Sequence, residues 1–334
     1  MPAIVSHYLL AERVLHDLAQ LLPDVDIDRT AFIWGASGPD IFFCHRILPH
    51  QKQRSLRTMS TKMHNTSPEL ILNYLVSYAR LKCDDIAMSY ALGFVTHYAF
   101  DSLAHPFILY SADVMSLFQP HKHSSLCHNE IESALDSLML RAERGQRISD
   151  FRLQDAAPLD PVVNNAIAAA MQGALLYLYN KGAYKSEIYT AQKDWRRSLA
   201  ALNDRHGLKY RFISHAEHLV GLPPLLSPIF RRNYPDISMD PANLQHNKWV
   251  DKATSAEHSE SFFELADKAE ELSIRLITRI LCGSRLTHDD CSASFSGAKL
   301  IVNNTSSCQS GGLLRRSPPD TPENAVRVDS SLKS

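Results

Sequence analysis

The chain has 334 residues, long enough for one large domain or two ordinary ones with a core that needs no disulfides. Its 35 basic and 36 acidic side chains nearly cancel, and without a like-charge run this gives no strong nucleic-acid signal. Six cysteines without a C-x-x-C pair argue against a zinc knuckle or a disulfide framework and for reduced thiols. The first stretch carries Glu12, Arg13 and Asp17 through its apolar residues and lacks a basic leader, so it reads as an amphipathic helix rather than a secretion signal. Ile4, Leu10, Val14, Leu15 and Leu18 form its stripe, and His7 faces inward among them. Next, WGASGPDIFF places a Gly38-Pro39 turn that delivers Asp40, and KMHNTSPEL places His64 ahead of a helix opened by Ser67-Pro68. That helix carries a stripe of Leu70, Leu72, Leu75, Tyr78 and Leu81.

From Asp84 to His105 the sequence opens with two acids and stays apolar on nearly every face until Pro106, the pattern of a central, buried helix. Further helices are expected from about His123 to Arg144 and from Pro161 to Asn180. An irregular aromatic-rich region follows, and then a long amphipathic helix from about Asn247 to Leu281. Strand-like alternation is scarce, so the fold class is all-α, a multi-helix bundle. No transmembrane segment is expected, because no stretch reads as about 18 charge-free apolar residues, and a cytoplasmic location follows. Beyond Gly283, Ser, Asn, Gly and Pro dominate, so residues 284–334 are expected to be a disordered tail, with Ala298 to Val302 its one short apolar piece.

Histidine is where the composition is unusual, with 16 in all. His97, Asp101 and His105 stand at i, i+4 and i+8 on the central helix, one turn above another on a single face. An ionised Asp101 buried alone would be costly, and binding a metal between two imidazoles removes that cost. Hydrogen bonding inside a core is the more frequent explanation of a lone H-x-x-x-D, but His128 and Glu132 repeat the spacing on the next helix. Asp136 continues that stripe as a residue that would support the ligands, whereas Glu130 points elsewhere. For His7 taken alone, a core histidine and a metal ligand fit equally.

In these residues the chain resembles the zinc-dependent phospholipase C/D family, bacterial phospholipases C and their intracellular relatives. The shared elements run in order: an early histidine (His7), G-P-D ending at Asp40, His64 before a helix, H-x-x-x-D-x-x-x-H-P from His97 to Pro106, and H-x-x-x-E at His128 and Glu132. They cover about residues 1–140, and their ordered occurrence carries the specificity. The resemblance implies a metal-binding core over residues 1–145, and the helical patterns over 146–283 are read as an additional helical region packed on it. It also implies a zinc cluster in which Asp40, His64, His97 and Asp101 hold one ion and His105, His128 and Glu132 a second. Asp101 would bridge to a third ion bound also by His7. The secreted members complete that third site with the amino group of a processed N-terminal tryptophan, whereas this chain starts Met1-Pro2, so the expectation is two or three Zn2+ ions. Ile41 and Thr61 stand where choline-preferring members carry aromatics, so choline specificity does not carry over.

The implied activity is zinc-dependent hydrolysis of a phosphodiester by activated water, with Asp40 as ligand and general base. A phospholipid is one candidate substrate, with peripheral membrane contact. Two other readings stay open. One is a trinuclear zinc nuclease or nucleotidase that stacks bases on Trp34, Phe42, Phe43, Tyr98 or Phe107. The other is a non-catalytic helical module in which metal serves structure alone.

Overall fold

Apolar periodicity and well-placed caps account for most of the helices in the computed structural model, which describes residues 4–47, 54–119, 123–221, 227, 230–233, 240–295 and 297. All of these belong to one unit, without a division at residue 145 or 283. Helix α1 spans Ile4–Leu21 and buries Ile4, Leu10, Val14 and Leu18 of the expected stripe. The α2 helix, Arg29–Ala36, starts where the Asp28 side chain accepts the Ala31 N–H at 2.7 Å. After a 3-10 turn over Gly38–Phe42 and the short α3, Arg57–His64, comes α4, Pro68–Lys82, with Pro68 in its first turn. Its buried stripe is Ile71, Leu72, Leu75, Val76 and Ala79, while Leu70 and Leu81 are exposed. The expected stripe was therefore partly rotated toward solvent.

The central helix α5, Asp85–Phe118, is capped by Asp84, which accepts the Ala87 N–H at 2.9 Å. It does not stop at Pro106 but runs through it for 34 residues. Proline removes one helical hydrogen bond, and here the helix packs on α2 and α4, together with the two helices introduced next. These are α6, Ser124–Arg144, and α10, Phe262–Leu281, the latter opened by a Ser261/Glu264 capping box. Between them lie α7, Pro161–Tyr179, α8, Lys185–Leu202, and α9, Leu208–Leu219. By length and hydropathy α7 is one helix that could cross a membrane, which the sequence reading overlooked. About half of it is buried in the fold, against α8, α4 and α5.

Three expectations are corrected. The aromatic-rich stretch after Asn180 holds α8 and α9 rather than irregular chain, and Trp195, Leu199 and Leu202 are buried from it. The last amphipathic helix begins at Phe262, not near Asn247, because Trp249–Val250 (β1) and Glu257–His258 (β2) form a small antiparallel hairpin ahead of it. Residues 284–295 and Gly297 pack on the fold and bury Leu286, Cys291 and Phe295. Ala298 to Val302 lie outside the described residues.

The contact that matters most for the site is the crossing of α2 and α5. Gly35 and Gly93 let the two backbones meet: a Cβ on Gly93 would lie 2.0 Å from the Phe32 carbonyl oxygen, and one on Gly35 would lie 2.3 Å from that of Tyr90. No side chain fits there. The end of α2 is thereby pressed onto the middle of α5, where His97 stands.

Candidate metal centre

All eight sequence-predicted residues meet in one place. His7 comes from α1, Asp40 from the 3-10 turn, His64 from the last turn of α3, His97, Asp101 and His105 from α5, and His128 and Glu132 from α6. His64 and Asp40 thus sit on short helical segments rather than in open loops. Three groups have nitrogen and oxygen atoms close enough to share an ion: His7, His97 and Asp101; Asp40, His64 and His97; and His105, His128 and Glu132.

Asp101 is the hub. His7 Nε2 lies 3.1 Å from its Oδ1, while His97 Nε2, His64 Nε2 and His105 Nδ1 lie 3.3, 3.4 and 3.6 Å from its Oδ2. His64 Nε2 is also 3.4 Å from Asp40 Oδ1. At the outer end His128 Nε2 stands 3.0 Å and His105 Nε2 3.8 Å from Glu132 Oε1. Four ligands at zinc bond lengths of about 2.0–2.1 Å would be about 3.3–3.4 Å apart along each tetrahedral edge, the spacing around His97, His64, Asp40 and Asp101.

Backbone carbonyls fix the imidazoles. His97 Nδ1 lies 3.1 Å from the Ala36 carbonyl oxygen at the end of α2, and His64 Nδ1 lies 2.8 Å from that of Ser60. Both rings then direct Nε2 into the cluster, the arrangement that orients metal-binding histidines. Gly38, at φ +49°, covers the His97 ring so closely that a Cβ would lie 2.3 Å from Cδ2. Hence the G-P-D turn needs glycine there.

Polar atoms without partners show what the cluster is suited to hold. His97 Nε2, Asp40 Oδ1 and His7 Nδ1 are buried and have no hydrogen-bond partner among the described residues. Burial pushes the Asp40 carboxyl up to about 6 against the pull of His97 and His64. It lowers His97 as well, in spite of Asp101. At Asp101 burial works upward but is outweighed by His105, His97, His64 and His7, which hold its carboxyl well below the ordinary range. For His105 burial is likewise overcome, by Asp101 and Glu132, and its pKa rises to about 10. Three carboxylates buried together with five imidazoles form a set that divalent cations satisfy and that protons satisfy only in part. The residues present therefore fit zinc.

Access is uneven. His97 has no exposed surface, whereas the side chains of His105 and His128 are 15% and 23% exposed, so the outer group faces solvent. Of the aromatics proposed for base stacking, Trp34, Phe42, Tyr98 and Phe107 are buried in the core, and Phe43 alone is partly exposed, 5.9 Å from the His64 ring. Base stacking therefore finds little support.

Asp136 stands apart from the ligands. It accepts hydrogen bonds from Ser6 N and Oγ at 2.8 and 2.9 Å and from Arg231 Nε at 2.9 Å, anchoring the start of α1 one residue from His7. Glu130 pairs with Arg232 at 2.9 Å, away from the cluster. His45 is buried, and its Nδ1 accepts the Leu56 N–H at 2.9 Å where α3 begins. Sequence reasoning missed Phe295, whose ring centroid lies 5.9 Å from those of His64 and His97 and whose carbonyl lies 3.3 Å from His105 Nδ1. A single aromatic in a Ser- and Gly-rich stretch gave no periodic signal.

The signature of the family described as zinc dependent phospholipase C matches residues 6–195, more than half of the chain. It includes every one of the eight residues and continues through α7 into α8, beyond the stretch of about 140 residues in which the motifs occur. No curated protein and no solved structure matches the chain. The chain belongs to the zinc dependent phospholipase C family.

Proposed function

We propose that the protein is a phosphodiester hydrolase that works through a cluster of two or three zinc ions. One observation carries this reading: eight His, Asp and Glu side chains from five segments converge in three groups whose atoms are close enough to share ions, among them the buried His97 Nε2, Asp40 Oδ1 and His7 Nδ1, which make no hydrogen bond to the described residues. Asp40, His64, His97 and Asp101 would hold one ion and His105, His128 and Glu132 a second. His7 with Asp101 would hold a third, completed by solvent. Zinc, when bound, supplies the charge that binds phosphate oxygens and makes water acidic enough to attack at neutral pH.

The remaining chemistry falls to the chain itself. The exposed edges of His105 and His128 mark the side from which a phosphodiester would enter. His7, His64 and His97 surround Asp101 and keep it ionised. Asp40, a carboxylate held 3.4 Å from His64 Nε2 at the buried end of the cluster, would take the proton of the attacking water. The leaving oxygen then takes its proton from solvent at the open side. Such an enzyme would act on a phosphodiester, with phospholipid the first class to try.

The test pairs elemental analysis with hydrolysis of bis-p-nitrophenyl phosphate and of short-chain phosphatidylcholine. Wild-type protein should carry two or three zinc ions and hydrolyse at least one of the two. Asp101→Asn should lose zinc and activity together, whereas Asp40→Asn should lower kcat by roughly 100-fold or more with a smaller loss of zinc. A protein that cannot be loaded with zinc, or a loaded protein inert toward both esters, would sink the proposal.

A further inference from the structure

The segment after α10 returns along α5 and ends at the metal centre. Asn73 holds its start with two hydrogen bonds, donating from Nδ2 to the Leu286 carbonyl at 2.8 Å and accepting the Leu286 N–H at Oδ1 at 2.9 Å. Arg279 pairs with Asp290 at 2.9 Å, and the Tyr98 side chain hydrogen-bonds to Cys291 and to the backbone at Ala293. On either side of Phe295, the Gly297 N–H donates to the Ser294 carbonyl at 2.9 Å. Gly297, at φ +74°, rests on the proline of α5, where a Cβ would lie 2.5 Å from Pro106 Cγ. Such close approach at positive φ is suited to glycine alone. The strap lies wholly beyond residues 6–195, the part the family shares.

Its tip does for His105 what the shared part does for His97 and His64. Those two rings receive a carbonyl at Nδ1 from Ala36 and Ser60, and His105 receives one, at 3.3 Å, from Phe295. The Phe295 ring is fully buried against His64, His97, Phe94 and Tyr98. We propose that Phe295 is a positioning residue of the metal centre: its carbonyl holds His105 with Nε2 toward Glu132 and His128, and its ring closes the wall beside His64 and His97 against water. This rests on the zinc reading above.

The full chain, its Phe295→Ala, Phe295→Leu and Gly297→Ala variants, and zinc release to a chromophoric chelator provide the test, with the circular dichroism of the metal-free proteins as the control for folding. Phe295→Ala removes the ring, Gly297→Ala lifts the strap from Pro106 without touching a ligand, and Phe295→Leu keeps apolar volume. One zinc equivalent should leave roughly tenfold faster from Phe295→Ala and Gly297→Ala, in line with the loss of an orienting partner. The remaining zinc should be loosened less, and Phe295→Leu should restore most of the retention. If Phe295→Ala does not fold, Gly297→Ala decides. Unchanged release from folded variants, equal loosening of every ion, or higher activity at unchanged zinc content, which would mark an inhibitory lid, overturns the proposal. A wild-type protein that binds no zinc overturns the metal centre and the strap's role with it, whereas zinc-loaded wild type with unaffected variants removes the strap's role only.

Discussion

Asp101 and His105 show how one side chain's surroundings decide its chemistry. A carboxylate contacted by four imidazoles attracts positive charge, and without metal that charge is carried by protons, chiefly on His105, whose pKa is lifted to about 10 from an ordinary 6.5. A histidine raised on folding stabilises the folded state fully below about pH 6.5, and that contribution is lost as pH rises through about 10. Metal-free protein should therefore lose thermal stability steadily across this window. Zinc occupies the same nitrogen atoms and displaces the protons, so loaded protein should show a flatter dependence. Thermal melts of both forms from pH 6.5 to 10 check this, and parallel curves would mean that His105 is not a ligand.

At the level of elements, α5 is the beam on which the site is hung, and α2 is fixed to it at a crossing that admits no side chain. Gly93→Ala would drive a Cβ to 2.0 Å from the Phe32 carbonyl oxygen, and backbone on both sides leaves nothing flexible to yield. We expect a loss on the order of 3 kcal/mol in denaturant unfolding. Zinc content should also fall, because the end of α2 carries the Ala36 carbonyl that orients His97. The ligand-bearing parts were legible because their residues repeat at helical spacing on α5 and α6, and because Gly38-Pro39 marks a turn. Helices α8 and α9 were hidden because their polar, aromatic-rich sequence looks irregular until Trp195, Leu199 and Leu202 find a partner. The strap was hidden for a different reason: its order comes from contacts with residues about 200 positions away, such as Asn73 and His105, which no local composition reveals. Nor could sequence show the carbonyls of Ala36 and Ser60, since every residue has one.

Across the whole molecule the apolar core and the metal centre are separable sources of stability. The core runs from α1 through α10 and includes Trp34, Trp195, Phe100 and Phe262, all fully buried, and none of the candidate ligands belongs to it. The centre, by contrast, draws α1, the Gly38–Phe42 turn, α3, α5 and α6 onto one cluster of buried charge. Removing zinc should therefore leave helicity close to that of the loaded protein while lowering the melting temperature. An ion present at a thousand times its Kd contributes about 4 kcal/mol, which for a chain of this size corresponds to roughly 6 °C per site. Chelation should produce a shift of at least that size, reversed by added zinc, with faster amide hydrogen exchange in α1 and α3, the elements tied to the centre through His7 and His64. A melting temperature unchanged by chelation would mean that the imidazoles and carboxylates satisfy one another and that the cluster stands without metal.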